Sequence, residues 1–227
     1  MSLSRRQIIE AGAATGALGL MASSPLLAQV VRPSSPVPSP ASPPLAVPAR
    51  PRVMVDPVVD PRIVTRARAA FDRHRSRILH GDIVGIADFT RASGQPRFYL
   101  LDTNSGRVTQ HLVAHGRGSD PAHTGFLQFF SNRPGSEASS DGAYLTSAYY
   151  HGKYGRSMRV RGLDPTNSNA EARAIVIHTA WYAEPDVVSQ TGRLGRSEGC
   201  FALPHTSLQE TLARLGPGHF LYADRVA

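Results

Sequence analysis

Ala143-Tyr144-Leu145-Thr146-Ser147-Ala148-Tyr149-Tyr150 and Ser157-Met158-Arg159-Val160-Arg161-Gly162-Leu163 are two β-rich runs that flank His151-Gly152-Lys153-Tyr154-Gly155. A pair of such runs around a glycine-bounded connection reads as a β-hairpin. The same texture extends upstream. Ile83 to Phe89, Arg97 to Asp102 and Arg107 to Ala114 are short β-forming runs, the last two joined by the turn sequence Thr103-Asn104-Ser105-Gly106. Downstream, Ala174 to His178 reads as a buried strand and His219 to Tyr222 as a final one, and a further short strand is expected at Phe126 to Phe130. Two segments carry helical spacing instead. From Pro61 to Leu79 apolar residues fall at Ile63, Ala67, Ala70, Phe71, Ile78 and Leu79 with six arginines between them, and a second helix is expected from Thr206 to Leu215, stopped by Gly216-Pro217-Gly218. The predicted fold class is therefore α+β, β-dominated, a compact β-sandwich with an N-terminal and a C-terminal helix.

This folded part, residues 61–227, is long enough for one domain with its own core. Two segments of different character precede it. Ser4-Arg5-Arg6-Gln7-Ile8-Ile9, followed by an Ala/Gly/Leu-rich stretch to Ala28, reads as a twin-arginine signal peptide over residues 1–28 and sets the expected location in the periplasm. The stretch contains Glu10 and several glycines, so a membrane span is expected only if the signal stays uncleaved. Residues 29–60 read as a disordered linker, because ten of the eighteen prolines lie between Val30 and Pro61 and no apolar periodicity accompanies them.

The formal charge is +8, and removing a signal that holds Arg5, Arg6 and Glu10 leaves about +7, which points to anionic partners. No nucleic-acid-binding motif is present, and an export signal separates the chain from most nucleic acid, so that class of partner is set aside. His111, His115 and His123 match no zinc-ligand spacing, and neither a metal nor any other cofactor is expected.

The only cysteine, Cys200, lies in Gly192-Arg193-Leu194-Gly195-Arg196-Ser197-Glu198-Gly199-Cys200-Phe201-Ala202-Leu203, and His178 ends an apolar run 22 residues earlier. An exported chain with one cysteine forms no internal disulfide, so the thiol is buried, paired with another chain, or used. A nearby imidazole would favour the thiolate and later protonate a leaving amine, which makes Cys200 and His178 a candidate nucleophile and base; a buried structural thiol is the equal alternative. The amides of Gly199 and Cys200 are candidate oxyanion donors. Ser197 is expected chiefly to hold the loop through its hydroxyl. Arg193 and Arg196 are candidate clamps for a substrate carboxylate or else solvated loop charges. His115 is a candidate to line the cleft, with a structural histidine as the competing reading.

The segment Gly195 to Leu203, preceded by His178, resembles the catalytic motif of the L,D-transpeptidases, the murein L,D-transpeptidase catalytic domain family with a YkuD-like domain. It is most similar to a proteobacterial branch. Pro96 to Asp102, Val113 to Ser119, Phe130 to Asn132, Gly135-Ser136 and Gly162-Leu163 ahead of Asn169-Ala170 also look like that branch. The resemblance implies a cysteine acyl-transfer enzyme acting on peptidoglycan stem peptides. Cys200 would attack the diaminopimelate–D-Ala bond and pass the acyl group to an amine, giving a 3-3 cross-link, or to water, as an L,D-carboxypeptidase does. It further implies acylation by carbapenems, and a histidine steered by a main-chain carbonyl rather than a carboxylate. Glu198 departs from the family pattern, which often has an aromatic residue there, and a carboxylate beside the thiol would raise its pKa. Asp141 departs likewise, standing before Gly142 where an apolar residue is expected. The competing reading is a non-catalytic exported protein that binds murein.

Overall fold

The computed structural model describes residues 58–226, so the expected signal peptide and all but the last three residues of the expected linker lie outside it. The folded part takes in Val59, which is buried, and Asp60, whose side chain accepts the Arg62 N–H and so caps the first helix. That helix, α1 (Pro61–Arg73), begins with proline at its first position and buries Ile63, Ala67 and Ala70 along one stripe. It stops well short of the expected Leu79. His74 leaves the helical conformation and its Nε2 meets Asp164 at 2.8 Å, and the amides of Leu79 and His80 both donate to Gly218 O, which starts strand pairing in place of another helical turn.

The strands are β1 (His80–Asp88), β2 (Phe98–Asp102), β3 (Val108–His111), β4 (Gly142–Gly152), β5 (Gly155–Gly162), β6 (Val176–Thr179), β7 (Phe201–Leu203) and β8 (His219–Asp224). Helices α2 (Pro185–Thr191) and α3 (His205–Arg214) fall between β6 and β7 and between β7 and β8. The expected hairpin forms as β4 and β5 around Lys153-Tyr154. No strand forms at Phe126 to Phe130, where Phe126 and Phe129 are exposed.

All eight strands belong to one hydrogen-bonded sheet in the order β3-β2-β1-β8-β4-β5-β6-β7, parallel at β1–β8 and β6–β7. This corrects the expected pair of stacked sheets. Alternation along the central strands explains how one sheet makes two cores. In β2, Phe98 and Leu100 enter one apolar cluster and Tyr99 and Leu101 the other; in β8, Leu221 and Ala223 oppose Phe220 and Tyr222 in the same way. The first cluster takes Leu208 and Leu212 of α3, and the second takes Ile63, Ala67 and Ala70 of α1. Fully burying one such aliphatic side chain is worth roughly 1.5–3 kcal/mol.

The chain leaving β3 returns to the far end of the sheet. Ala114 N–H donates to Ala202 O at 2.8 Å, Ser197 N–H to His115 O at 2.9 Å and Arg117 N–H to Ser197 O at 2.7 Å. Residues 197–202 are thus held between β6 on one side and residues 114–117 on the other.

Candidate active site

In the parallel β6–β7 register His178 stands beside Ala202, and Cys200 lies two residues before Ala202, in the bend that leads into β7. Cys200 is half-buried, and its thiol donates to Ala174 O at 3.6 Å while the Val176 amide donates to the sulfur. Burial pushes the Cys200 thiol up; the Val176 amide and the Arg173 charge work against that rise, and Glu198 adds to it.

His178 is 3 % exposed, and its Nδ1 donates to Thr179 O at 2.8 Å. A carbonyl only accepts, so the proton sits on Nδ1 and Nε2 keeps its lone pair. Burial lowers the imidazole pKa below its ordinary value, the Thr179 carbonyl opposes this, and the Lys153 charge adds to the fall. Tyr154, from the β4–β5 turn, stacks on the ring with centroids 4.5 Å apart and Lys153 lies over Tyr154. That turn was visible in the sequence, but nothing local placed it over His178.

Ser197 is buried and does what its hydroxyl was expected to do. Its Oγ donates to Cys200 O at 2.7 Å and accepts the Gly199 N–H at 3.2 Å. This corrects the oxyanion expectation, because the Gly199 amide is engaged inside the loop and only the Cys200 amide is left of the expected pair. Gly199 itself has φ of 110°, and a Cβ there would meet Ala138 O at 2.7 Å and Ile175 Cδ1 at 2.8 Å, so no other residue fits without displacing backbone. Ser139 supports the same turn, accepting the Gly116 amide at 3.0 Å and donating to Gly199 O at 3.4 Å.

The remaining expected site residues lie further out. His115 is 1 % exposed, so it does not line a cleft. Its Nδ1 meets the Arg97 guanidinium at 2.8 Å and its Nε2 faces buried Asp120 at 3.4 Å. Burial and the Arg97 charge lower its pKa to about 3 and keep the ring neutral. Arg196 uses Nη1 to donate to the carbonyls of Asp120 and Pro121, which makes it a tie between two loops more than a free clamp. Arg193 is half-buried and its Nε has no hydrogen-bond partner among the described residues. Glu198 is exposed and lies 3.6 Å from Arg117. Asp141 is half-buried just before β4, and burial raises its pKa. Arg173, which the sequence did not single out, packs against Gly199.

A recess of about 600 Å³ opens elsewhere, between α1 and the β1–β2 face, lined by Val64, Phe71, Val84 and Leu101 among others. None of its lining residues belongs to the His178–Cys200 group, so the chemistry is placed at the latter. Among the described residues no cluster of three or more His, Cys, Asp or Glu is arranged to hold a metal.

The arrangement can run acyl transfer: a thiol with a neutral imidazole on the neighbouring strand and a backbone donor at the thiol's own residue. No curated protein matches the chain. Among solved structures it is similar to an L,D-transpeptidase from Mycobacterium smegmatis at 13% identity, with TM-score 0.39 and 63% of this chain and 58% of that chain covered. An L,D-transpeptidase from Mycobacterium tuberculosis H37Rv matches at 14% identity and TM-score 0.37 over 63% of this chain and 57% of that one. The enzyme from Xylanimonas cellulosilytica matches at 14% identity and TM-score 0.38 over 69% and 68%. The chain therefore spans less than two thirds of the length of the two Mycobacterium structures. The profile of the L,D-transpeptidase catalytic domain matches residues 56–223, and the chain belongs to that family.

Proposed function

We propose that the domain is a cysteine acyl-transferase of peptidoglycan stem peptides, exported to the periplasm by the twin-arginine signal and belonging with the proteobacterial branch that its motif resembles. The observation that carries the mechanism is the Nδ1–H of His178 on Thr179 O, which leaves the Nε2 lone pair as a base on the strand paired with β7, into which Cys200 leads. Nε2 takes the thiol proton as sulfur bonds to the carbonyl carbon of the diaminopimelate–D-Ala link, and charge gathers on the carbonyl oxygen near the Cys200 amide. The C–N bond then breaks, and the imidazolium returns the proton to the departing D-alanine amine. An amine of a second stem peptide attacks the thioester to give a 3-3 cross-link, or water attacks it to give a trimmed stem. The net positive charge suits stem peptides, which carry free carboxylates.

The test is intact mass after incubation with a carbapenem, beside a Cys200→Ala control, followed by disaccharide-tetrapeptide as substrate. A one-to-one adduct lost in the control, together with released D-alanine, supports the reading. No adduct, with the thiol also inert to small alkylating agents, would overturn it in favour of an exported murein-binding protein.

A further inference from the structure

Arg173 is the residue before Ala174, and Ala174 has φ of 54°, left-handed backbone that a side chain with a Cβ rarely adopts. That turn aims the Ala174 carbonyl at the Cys200 thiol and sends the Arg173 side chain back past the cysteine loop. The guanidinium is tied down by oxygen atoms alone. Its Nη1 donates to Ser131 O at 2.6 Å and Ser140 Oγ at 2.7 Å, and Nη2 donates to Ala138 O. A Cβ on Gly199 would lie 3.2 Å from that Nη2, so the cation rests against the α-carbon of the residue bonded to Cys200. Among the described residues no ion pair joins Arg173 to an aspartate or glutamate.

Burial disfavours this cation, and the charges that favour it are those of Tyr144 and the Cys200 thiolate. A half-buried guanidinium held by neutral oxygens, with no carboxylate to balance it, is an uneconomical way to brace a loop that Ser139 and Ser197 already brace. It is well placed to hold negative charge next to it. We propose that Arg173 is a positioning residue of the acyl transfer, whose fixed charge stabilises the Cys200 thiolate and then the oxyanion without touching the substrate. The proposal rests on Cys200 being the nucleophile. The other groups that act on the sulfur are the Val176 amide of β6 and the Ala174 carbonyl just before it, the Tyr182 phenol, and Glu198 on the cysteine's own loop, whose charge acts in the opposite sense.

The experiment is the pH dependence of iodoacetamide alkylation, read by intact mass on the full chain, where Cys200 is the only thiol. Removing the charge in Arg173→Gln moves the alkylation midpoint up by on the order of one pH unit. Arg173→Lys breaks the fork of bonds but keeps the charge, and holds the midpoint close to that of the parent. A midpoint unmoved in both folded variants overturns the proposal, as does one moved equally in both, which is what a purely bracing role gives. Failure of both variants to fold would also assign Arg173 to bracing alone. Alkylation needs no acyl donor, so a chain that shows the shift but is not acylated by a carbapenem defeats the acyl-transfer reading and not the charge effect.

Discussion

His178 donates from Nδ1 to the carbonyl of Thr179, its own successor in β6, at 2.8 Å. The bond fixes the tautomer through a neutral carbonyl, and among the described residues no aspartate or glutamate pairs with the ring. Burial lowers the His178 pKa and raises that of Cys200, and both shifts favour the uncharged pair. Both groups are therefore uncharged at neutral pH, and on the proposed mechanism proton transfer accompanies attack. Acylation by a carbapenem should accelerate as pH rises through 7 toward 9, and alkylation of Cys200 should have its midpoint above about 8.5, the ordinary thiol value. An alkylation midpoint at about 6 or lower would mean a preformed thiolate–imidazolium pair and sink this account. His178→Gln should slow acylation by about 10²–10⁴-fold.

Ser197 holds both sides of the cysteine turn, donating to Cys200 O and accepting from Gly199 N–H. Ser197→Ala leaves two buried main-chain groups without that partner. The expected losses are about 1–3 kcal/mol in chemical denaturation and roughly tenfold or more in acylation rate. Ser197→Thr keeps the oxygen and should recover part of both. An Ala variant with unchanged acylation would show that the turn holds its shape without the hydroxyl.

Gly199→Ala tests the same turn through the backbone. At φ of 110° a Cβ is strained before any contact is counted, and Ala138 O and Ile175 Cδ1 lie within 3 Å of it. We expect a destabilisation of about 3 kcal/mol and loss of carbapenem acylation, measured by thermal melting and intact mass. Normal acylation in this variant would mean that the turn tolerates another conformation.

The residues of the candidate cysteine site stand out in the sequence to the extent that the chemistry they suggest is local. A lone thiol in a glycine-rich segment and a histidine at the end of an apolar run mark Cys200 and His178 without knowledge of their pairing. The strands of the two hairpins were legible through alternation and turn residues. What escaped depends on distant pairing. One sheet in place of two follows from β1 joining β8, whose residues lie more than a hundred positions apart, and no local pattern records that ladder. Helix α2 is short and buries no residue, so it leaves no apolar period to read. His115 stayed open between cleft and structural roles because its partners Arg97 and Asp120 are joined to it only by the fold, and Arg173 reaches Ala138 and Ser131 across some forty positions.

Glu198 is exposed, and its charge raises the Cys200 pKa while Arg117 sits 3.6 Å from it. Glu198→Gln removes that opposition and should speed alkylation at pH 7 by a few-fold. The carboxylate is screened by solvent and by its arginine, so the gain should shrink as salt is raised. A slower thiol in the variant would contradict the sign of the effect.

The Arg97–His115–Asp120 group gives the domain a specific weakness to acid. His115 is held neutral with a pKa of about 3, whereas in the unfolded chain a histidine titrates near 6.5. Between those values the unfolded state binds a proton that the native state does not, so stability declines as pH falls below about 6.5 and the decline ends only near 3. The span corresponds to a loss on the order of 5 kcal/mol. Asp120, whose carboxylate accepts the Thr124 and Gly125 amides, has its pKa lowered despite its burial; its share is present at higher pH and is lost last, as pH falls through that lowered value. Urea unfolding at a series of pH values from 7 to 4 should therefore show a steadily falling midpoint. His115→Asn, which cannot protonate, should start lower at pH 7, because it loses a bond to Arg97 or Asp120, and should fall less steeply toward pH 4. Parallel curves for the two proteins would place the acid sensitivity in other groups.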